Sequence, residues 1–259
     1  IFGATGHAFI INIHPELCPS GPTCFSTIGM DKLAENLGIG ISTEMFCPAE
    51  EEFSQRQNEV LNKIKAALDK GLPVIGWDLK VPEYYLIIGY DKDRLLFLDL
   101  EGKPQSCLQS ALGKGETQVG KVSFLSPLQK TGDATKTLKD AFTFTLEFAQ
   151  AGRQWVFPGY YTGKKAYSVW MDALQKGKAD PMGLAYNAQV WSECRTYAVE
   201  FLKEAKSRLK TRLLDNLIEH YDVVAWSLLK VAKLFPMGIK EIDPDAVDTA
   251  AETLYLAQE

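Results

Sequence analysis

The chain has 259 residues, 46% of them hydrophobic and 24% charged, with a net charge of −5. That length suggests one large domain or two smaller ones, with ample apolar material for packed cores. A pI of about 5.4 argues against a nucleic-acid binder, which would carry a concentrated basic face. There is no apolar run of the length that a membrane span needs and no secretory signal pattern, so no membrane partner is expected. Five cysteines, Cys18, Cys24, Cys47, Cys107 and Cys194, are scattered without a CxxC. This usage reads as free thiols in a reducing, cytoplasmic setting.

In chain order, the apolar run Ala8 to Ile13 predicts a strand covered on both faces. Pro15, Pro19, Gly21 and Pro22 then force a stiff loop. DKLAENLG predicts a short helix closed by Gly38, and ISTEMF a second strand. From Ala49 to Lys70, Phe53, Val60, Ile64, Ala67 and Leu68 fall on one helical face, Glu50, Glu51 and Glu52 suit the N-terminal end, and Gly71 ends the helix. LPVIGWDL predicts a strand. YYLIIGYD and RLLFLDL, joined across Asp91–Lys92–Asp93, predict a hairpin, and VGKVSFL a further strand.

KTGDAT is polar and aperiodic, and marks a boundary near residue 130. Beyond it only helical spacing appears. The stripe Leu214, Leu217, Tyr221, Val224, Leu228 is the longest, and Tyr197, Phe201, Ala205, Leu209 form another. Asp243-Pro244 supplies an N-cap and a first-turn proline for a last helix. The expected division is residues 1–130 as an α+β domain with an antiparallel sheet and 131–259 as an all-helical domain.

Few residues can carry chemistry. The three histidines are His7, His14 and His220, the last inside a helical stripe. His7 and His14 flank the first strand, and an odd spacing of seven points them to opposite faces. His14 with Cys18 and Cys24 does not follow a zinc-ligand spacing, although a thiol paired with His14 is geometrically open. No phosphate-loop or dinucleotide fingerprint is present, so no cofactor is implied. Trp77, Asp78, Glu83, Tyr84, Tyr85 and Asp99 gather at strand ends around Pro82, where polar groups leave a core and binding sites form. Trp77 and the tyrosines there also suit a merely structural seal, since their polar tips tolerate a half-buried place.

The segments GHAF, GLPVIGWDL and EYYLIIGYDKDRLLFLDL resemble the papain-like domain of bacteriocin-leader peptidases. They resemble still more the N-terminal domain of the butirosin-biosynthesis acyltransferase type, over roughly residues 3–125. The resemblance implies a papain-like fold and a cysteine nucleophile on a helix ahead of GHAF, before Ile1. It also implies a base where Glu83 or Tyr84 stands in place of the family's histidine, and an orienting acid at Asp99. His7, His14, Trp77, Asp78, Tyr84 and Tyr85 would line the substrate site. The implied substrate is a small-molecule or carrier-bound acyl group, and a homodimer is open.

Three functions compete: a thiol acyltransferase or amide-processing enzyme, a non-catalytic binding or accessory protein with a degenerate papain-like cleft, and a scaffold that offers an apolar helix face. The enzyme predicts a thiol beside Glu83 and Asp99. The binder predicts a concave pocket at the strand ends, between the two halves, lined by Trp77, Glu83, Tyr84 and Tyr85, and no ordered triad. The scaffold predicts an exposed helix stripe.

Overall fold

The computed structural model describes residues 1–151 and 154–259. Contacts divide them into two units, Ile1–Leu37 with Thr131–Glu259, and Gly38–Lys130. The sequence reading joined the first 37 residues to the sheet; in the structure they group with the helices. The reason lies in their apolar run. Ile10, Ile11, Ile13, Leu17 and Phe25 share one buried cluster with Trp170, Trp191 and Leu228.

That run is also not the expected long strand. It forms a 3-10 turn at His7–Phe9 and a two-residue strand β1, Asn12–Ile13. A strand needs neighbours for its carbonyls, and two of them find a different donor here. The Arg195 Nη1 donates to the carbonyls of Ala8 and Ile10, each at 2.8 Å. The next element is the short helix α1, Ile28–Leu33, continued by a 3-10 turn to Leu37 and closed by Gly38 at φ 75°.

The sheet unit runs β2 (Ile39–Phe46), α2 (Phe53–Leu68), β3 (Val74–Trp77), β4 (Tyr84–Asp91), β5 (Arg94–Leu98), β6 (Pro104–Leu108) and β7 (Gly120–Pro127). The strand order is β2-β7-β3-β4-β5-β6, and every pairing is antiparallel. α2 buries Phe53, Gln57, Val60, Leu61 and Ile64. They join Val74, Tyr85, Ile87, Leu95, Phe97 and Val122 in one core. Each such aliphatic side chain stabilises by about 1.5–3 kcal/mol when withdrawn from water. Gln57 earns its place in the core by donating from Nε2 to the Leu112 carbonyl at 2.7 Å.

The hairpin β4–β5 pairs Asp91 with Arg94, and Lys92 at φ 47° makes the turn. A bulge at Ile88 breaks the register between Ile87 and Gly89. Strand β6 was not legible in PQSCL, which starts with proline and alternates around few apolar residues. As an edge strand it needs one bonded neighbour, and a proline is tolerated there.

The helical unit continues with α3 (Ala134–Ala151), β8 (Tyr161–Thr162), α4 (Gly163–Gln175), α5 (Pro181–Leu209), α6 (Asp215–Leu234) and α7 (Pro244–Gln258). β8 pairs with β1 and was also unforeseen, because two residues carry no periodicity. Asp180 caps α5 by accepting from the Gly183 N–H at 2.6 Å, and Asp243 caps α7 as its Asp-Pro start predicts. The α6 stripe turns inward: Leu214 and Leu228 are buried. On α5 the predicted stripe is displaced. Ala205 is buried and Phe201 packs against the core, but Tyr197 is exposed and Ala198 and Leu202 are buried, so the inward face turns toward the residues next to the stripe. No helix among the described residues is long and apolar enough to cross a membrane.

Candidate functional site

The register of β3 and β4 builds the strand-end cluster. Trp77 opposes Tyr84, and Gly76 opposes Tyr85. The rings of Trp77 and Tyr84 lie 4.8 Å apart at 59°, a tilted aromatic pair. Beyond the last ladder pair, the Asp78 N–H donates to the Glu83 carbonyl at 2.9 Å and closes the loop that carries Pro82.

Each polar tip then has a structural partner. The Trp77 Nε1 donates to the Thr117 hydroxyl at 3.0 Å, and the Lys121 ammonium donates to the Tyr84 hydroxyl at 2.9 Å. The buried Tyr85 hydroxyl both donates to the Val81 carbonyl at 3.3 Å and accepts from the Val81 N–H at 3.2 Å. Burial raises the Tyr85 pKa above a phenol's usual value, against the Val81 contact. The negative charges of Glu83, Asp78 and Asp99 add to that rise.

Asp78 is the most constrained of these residues. It is buried, at φ 58°, in the left-handed region that favours glycine, asparagine and aspartate. Its Oδ2 accepts from the Thr117 N–H at 2.7 Å and from the Thr117 hydroxyl at 2.6 Å. Its Oδ1 is buried without a hydrogen-bond partner among the described residues. Gly115 must be glycine here, since a Cβ would lie 2.4 Å from the Asp78 Cγ. Asp78→Ala is expected to lower unfolding stability by about 1–2 kcal/mol, because the part-buried Thr117 N–H and hydroxyl lose their carboxylate acceptor. Asp78→Asn keeps one acceptor and tolerates the backbone, so it should lose less. Urea denaturation of the two variants checks this order.

Asp99 serves its own turn. Its Oδ1 accepts from the Lys103 N–H at 2.8 Å and the Glu101 N–H at 3.0 Å, and its Oδ2 accepts from Gln105 Nε2 at 3.1 Å. The Lys103 N–H is the main influence holding its carboxyl below the usual carboxylate value.

The two histidines belong to the helical unit and do not share a contact set. His7 packs against Phe2 and Phe25, with ring centroids at 5.2 and 5.9 Å, and its Nε2 is buried without a partner among the described residues. Burial, and then the Arg195 guanidinium, lower its pKa to about 4. His14 accepts at Nδ1 from the Glu16 N–H at 3.2 Å, and its ring lies 5.3 Å from that of Tyr160.

The Tyr160 contact leads to a second constellation. Its hydroxyl sits beside the thiols of Cys24 and Cys18, and burial first, then these thiols, push its pKa well up. Both cysteines are half-buried. The loop that holds them is fixed: Asn12 Nδ2 donates to the carbonyls of Gly21 and Cys24, and Asn187 Nδ2 donates to that of Cys18 at 3.0 Å. Next to it in the chain, a cleft of about 220 Å³ is lined by Pro15, Tyr161, Lys165, Asp172, Lys176 and Lys178.

Thr117, Lys121, Tyr160 and Arg195 are contacts that sequence reasoning missed. For Thr117 a signal existed in GKGET, whose glycines mark a close backbone approach. The other three reach their sites only through tertiary packing. No cluster of three or more metal-ligating side chains occurs among the described residues. Compared with known proteins, the chain matches no family model and no curated protein.

Proposed function

We propose that the chain is a binding or accessory protein that uses the strand ends of a degenerate papain-like domain to hold a small-molecule or carrier-bound acyl ligand. The observation that carries this reading is the commitment of Asp99. Its three acceptor contacts all lie within residues 99–105, so it is not aimed at a base. A papain-type relay needs its acid on the imidazole. The half-buried Trp77 and Tyr84 rings, with Glu83 beside them, are suited to cover an apolar or amide-bearing ligand.

The test is calorimetric titration with a short-chain acyl pantetheine thioester. Binding without turnover is expected, weakened about tenfold or more by Trp77→Ala, as for an aromatic anchor. Thioester turnover abolished by Asp99→Asn would instead restore the papain-type enzyme.

A second reading is favoured by one specific observation, the convergence of Cys18, Cys24, Tyr160 and His14 in the helical unit. A thiol acyltransferase or amide-processing activity would then use this site and not Glu83 and Asp99. Lys165 and Lys178 on the adjoining cleft suit an anionic part of the substrate. Alkylation with iodoacetamide decides between the two readings. An enzyme thiol at Cys18 or Cys24 should react faster than Cys47, and its serine variant should remove acyl transfer; uniform slow labelling leaves the binder.

A further inference from the structure

The exposed face of α6 carries a pattern that matches its own reverse. Val223, Trp226 and Leu229 are exposed to 49%, 57% and 44%, although they are large and apolar. They are not the inward stripe of Leu214 and Leu228. Positions three, four and seven apart share a helix face, so Glu219, Asp222, Val223, Trp226, Lys230 and Lys233 form one band with Leu229 at its edge.

The charges on this band are ordered. Glu219 and Asp222 lie on the N-terminal side of Trp226, and Lys230 and Lys233 on the C-terminal side. The order is symmetric about Trp226 in position and opposite in sign. Glu219 and Lys233 are equally far from it, as are Asp222 and Lys230, and Val223 and Leu229. A second α6 laid antiparallel, with its Trp226 at the same crossing point, would therefore bring Glu219 to Lys233 and Asp222 to Lys230, each twice, with Val223 and Leu229 on the two edges of the seam.

From this complementarity we infer that the chain forms a two-fold symmetric dimer through α6, centred on Trp226. A two-fold interface must be complementary to itself, and few helix faces are so in both charge and apolar content. A shallow crossing of about 20° keeps the outer charge pairs within reach. The local contacts leave these groups available. Among the described residues Glu219 and Lys233 have no ion-pair partner within the chain, and the Asp222 bond to Lys203, at 3.2 Å, is exposed. Lys230 Nζ lies 5.5 Å from the Trp226 ring centroid, where it shields the ring in the monomer and can turn to Asp222 of a partner.

The α6 band shares no residue with either candidate site, and its test does not depend on a ligand. Sedimentation equilibrium of the full chain, from micromolar to near-millimolar concentration, should show a monomer–dimer equilibrium that weakens with added salt. Trp226→Glu should raise the dissociation constant about 30-fold or more, as for a central tryptophan anchor. Lys233→Glu places like charges opposite each other and should raise it roughly tenfold, while the double variant Glu219→Lys/Lys233→Glu restores the original affinity. These residues are exposed, and far-UV circular dichroism verifies folding. Leu229→Gln, a milder change on the same band, should weaken the dimer even if Trp226→Glu unfolds. A monomer at every concentration overturns the inference, as does a dimer indifferent to Trp226→Glu and Leu229→Gln, or one that the double reversal fails to restore.

Discussion

Arg195→Met is expected to destabilise the helical unit by about 3 kcal/mol, with the loss felt first at residues 7–13. Arg195 is 2% exposed and forms no ion pair with an acid among the described residues. Its Nη1 instead bridges the carbonyls of Ala8 and Ile10 at 2.8 Å each. Those carbonyls belong to an apolar run that lies among helices, where no neighbouring strand can donate to them. Methionine fills much of the volume and relieves the burial of a charge, which is a gain. It leaves two buried acceptors without donors, and each such group costs about 1–3 kcal/mol. The acceptors outweigh the gain, because the guanidinium already has good geometry and retains the hydroxyl of Tyr167 nearby. Urea unfolding measures the total. Hydrogen exchange provides the local readout: amides of residues 7–13 should exchange faster in Arg195→Met than in the parent, before the global change. Unchanged exchange there would show that the arginine does not hold this segment. Arg195→Lys should recover only part of the loss, since one ammonium lacks the planar fork that reaches both carbonyls.

This arginine also marks the limit of what the sequence made legible. The hairpin β4–β5 and helix α2 were readable because their signals are local. Apolar residues alternate in YYLIIGYD, and Phe53, Val60 and Ile64 repeat at helical spacing. Ala8 to Ile13 gave an equally strong apolar signal, but such a run is compatible with any buried setting. What decided its form was a side chain nearly two hundred residues later, and no window contains both. The same holds for the sites. Trp77, Asp78, Glu83, Tyr84 and Tyr85 were found because strand pairing gathers neighbours in sequence. Their partners Thr117 and Lys121 come from the distant approach to β7 and from β7 itself, and Tyr160 meets Cys18 and Cys24 only through the helical core. Asp99 was identified by position in a pattern, yet its chemistry is set by the turn it closes. A motif position says which residue is present, and only the hydrogen bonds say whether its lone pairs are free.

The stability of the helical unit should fall as the pH drops from about 6.5 to about 4, and His7 should account for about 3 kcal/mol of the loss. The sign follows from the direction of its shift. Burial, and then the Arg195 guanidinium, hold the folded-state pKa at about 4, below an imidazole's ordinary value of 6.5. Between these two values the unfolded chain binds a proton at His7 and the folded chain does not. Protonation therefore favours unfolding throughout that window, and the deficit is complete below its lower end. Above pH 6.5 both states are neutral at this ring, and no penalty remains. The proton has no good acceptor to meet. Nε2 is buried without a partner among the described residues, the rings of Phe2 and Phe25 pack against it, and the Arg195 guanidinium opposes a second positive charge. His7→Phe should keep the aromatic packing while removing the titration. Its stability should equal or exceed that of the parent at neutral pH, where an unpaired nitrogen is replaced by carbon, and the advantage should widen to about 3 kcal/mol at pH 4. Denaturation curves of parent and variant across this range isolate the effect, because the carboxylates titrate alike in both. A constant difference from neutral to acid pH would show that His7 is protonated as readily in the folded chain as in the unfolded one.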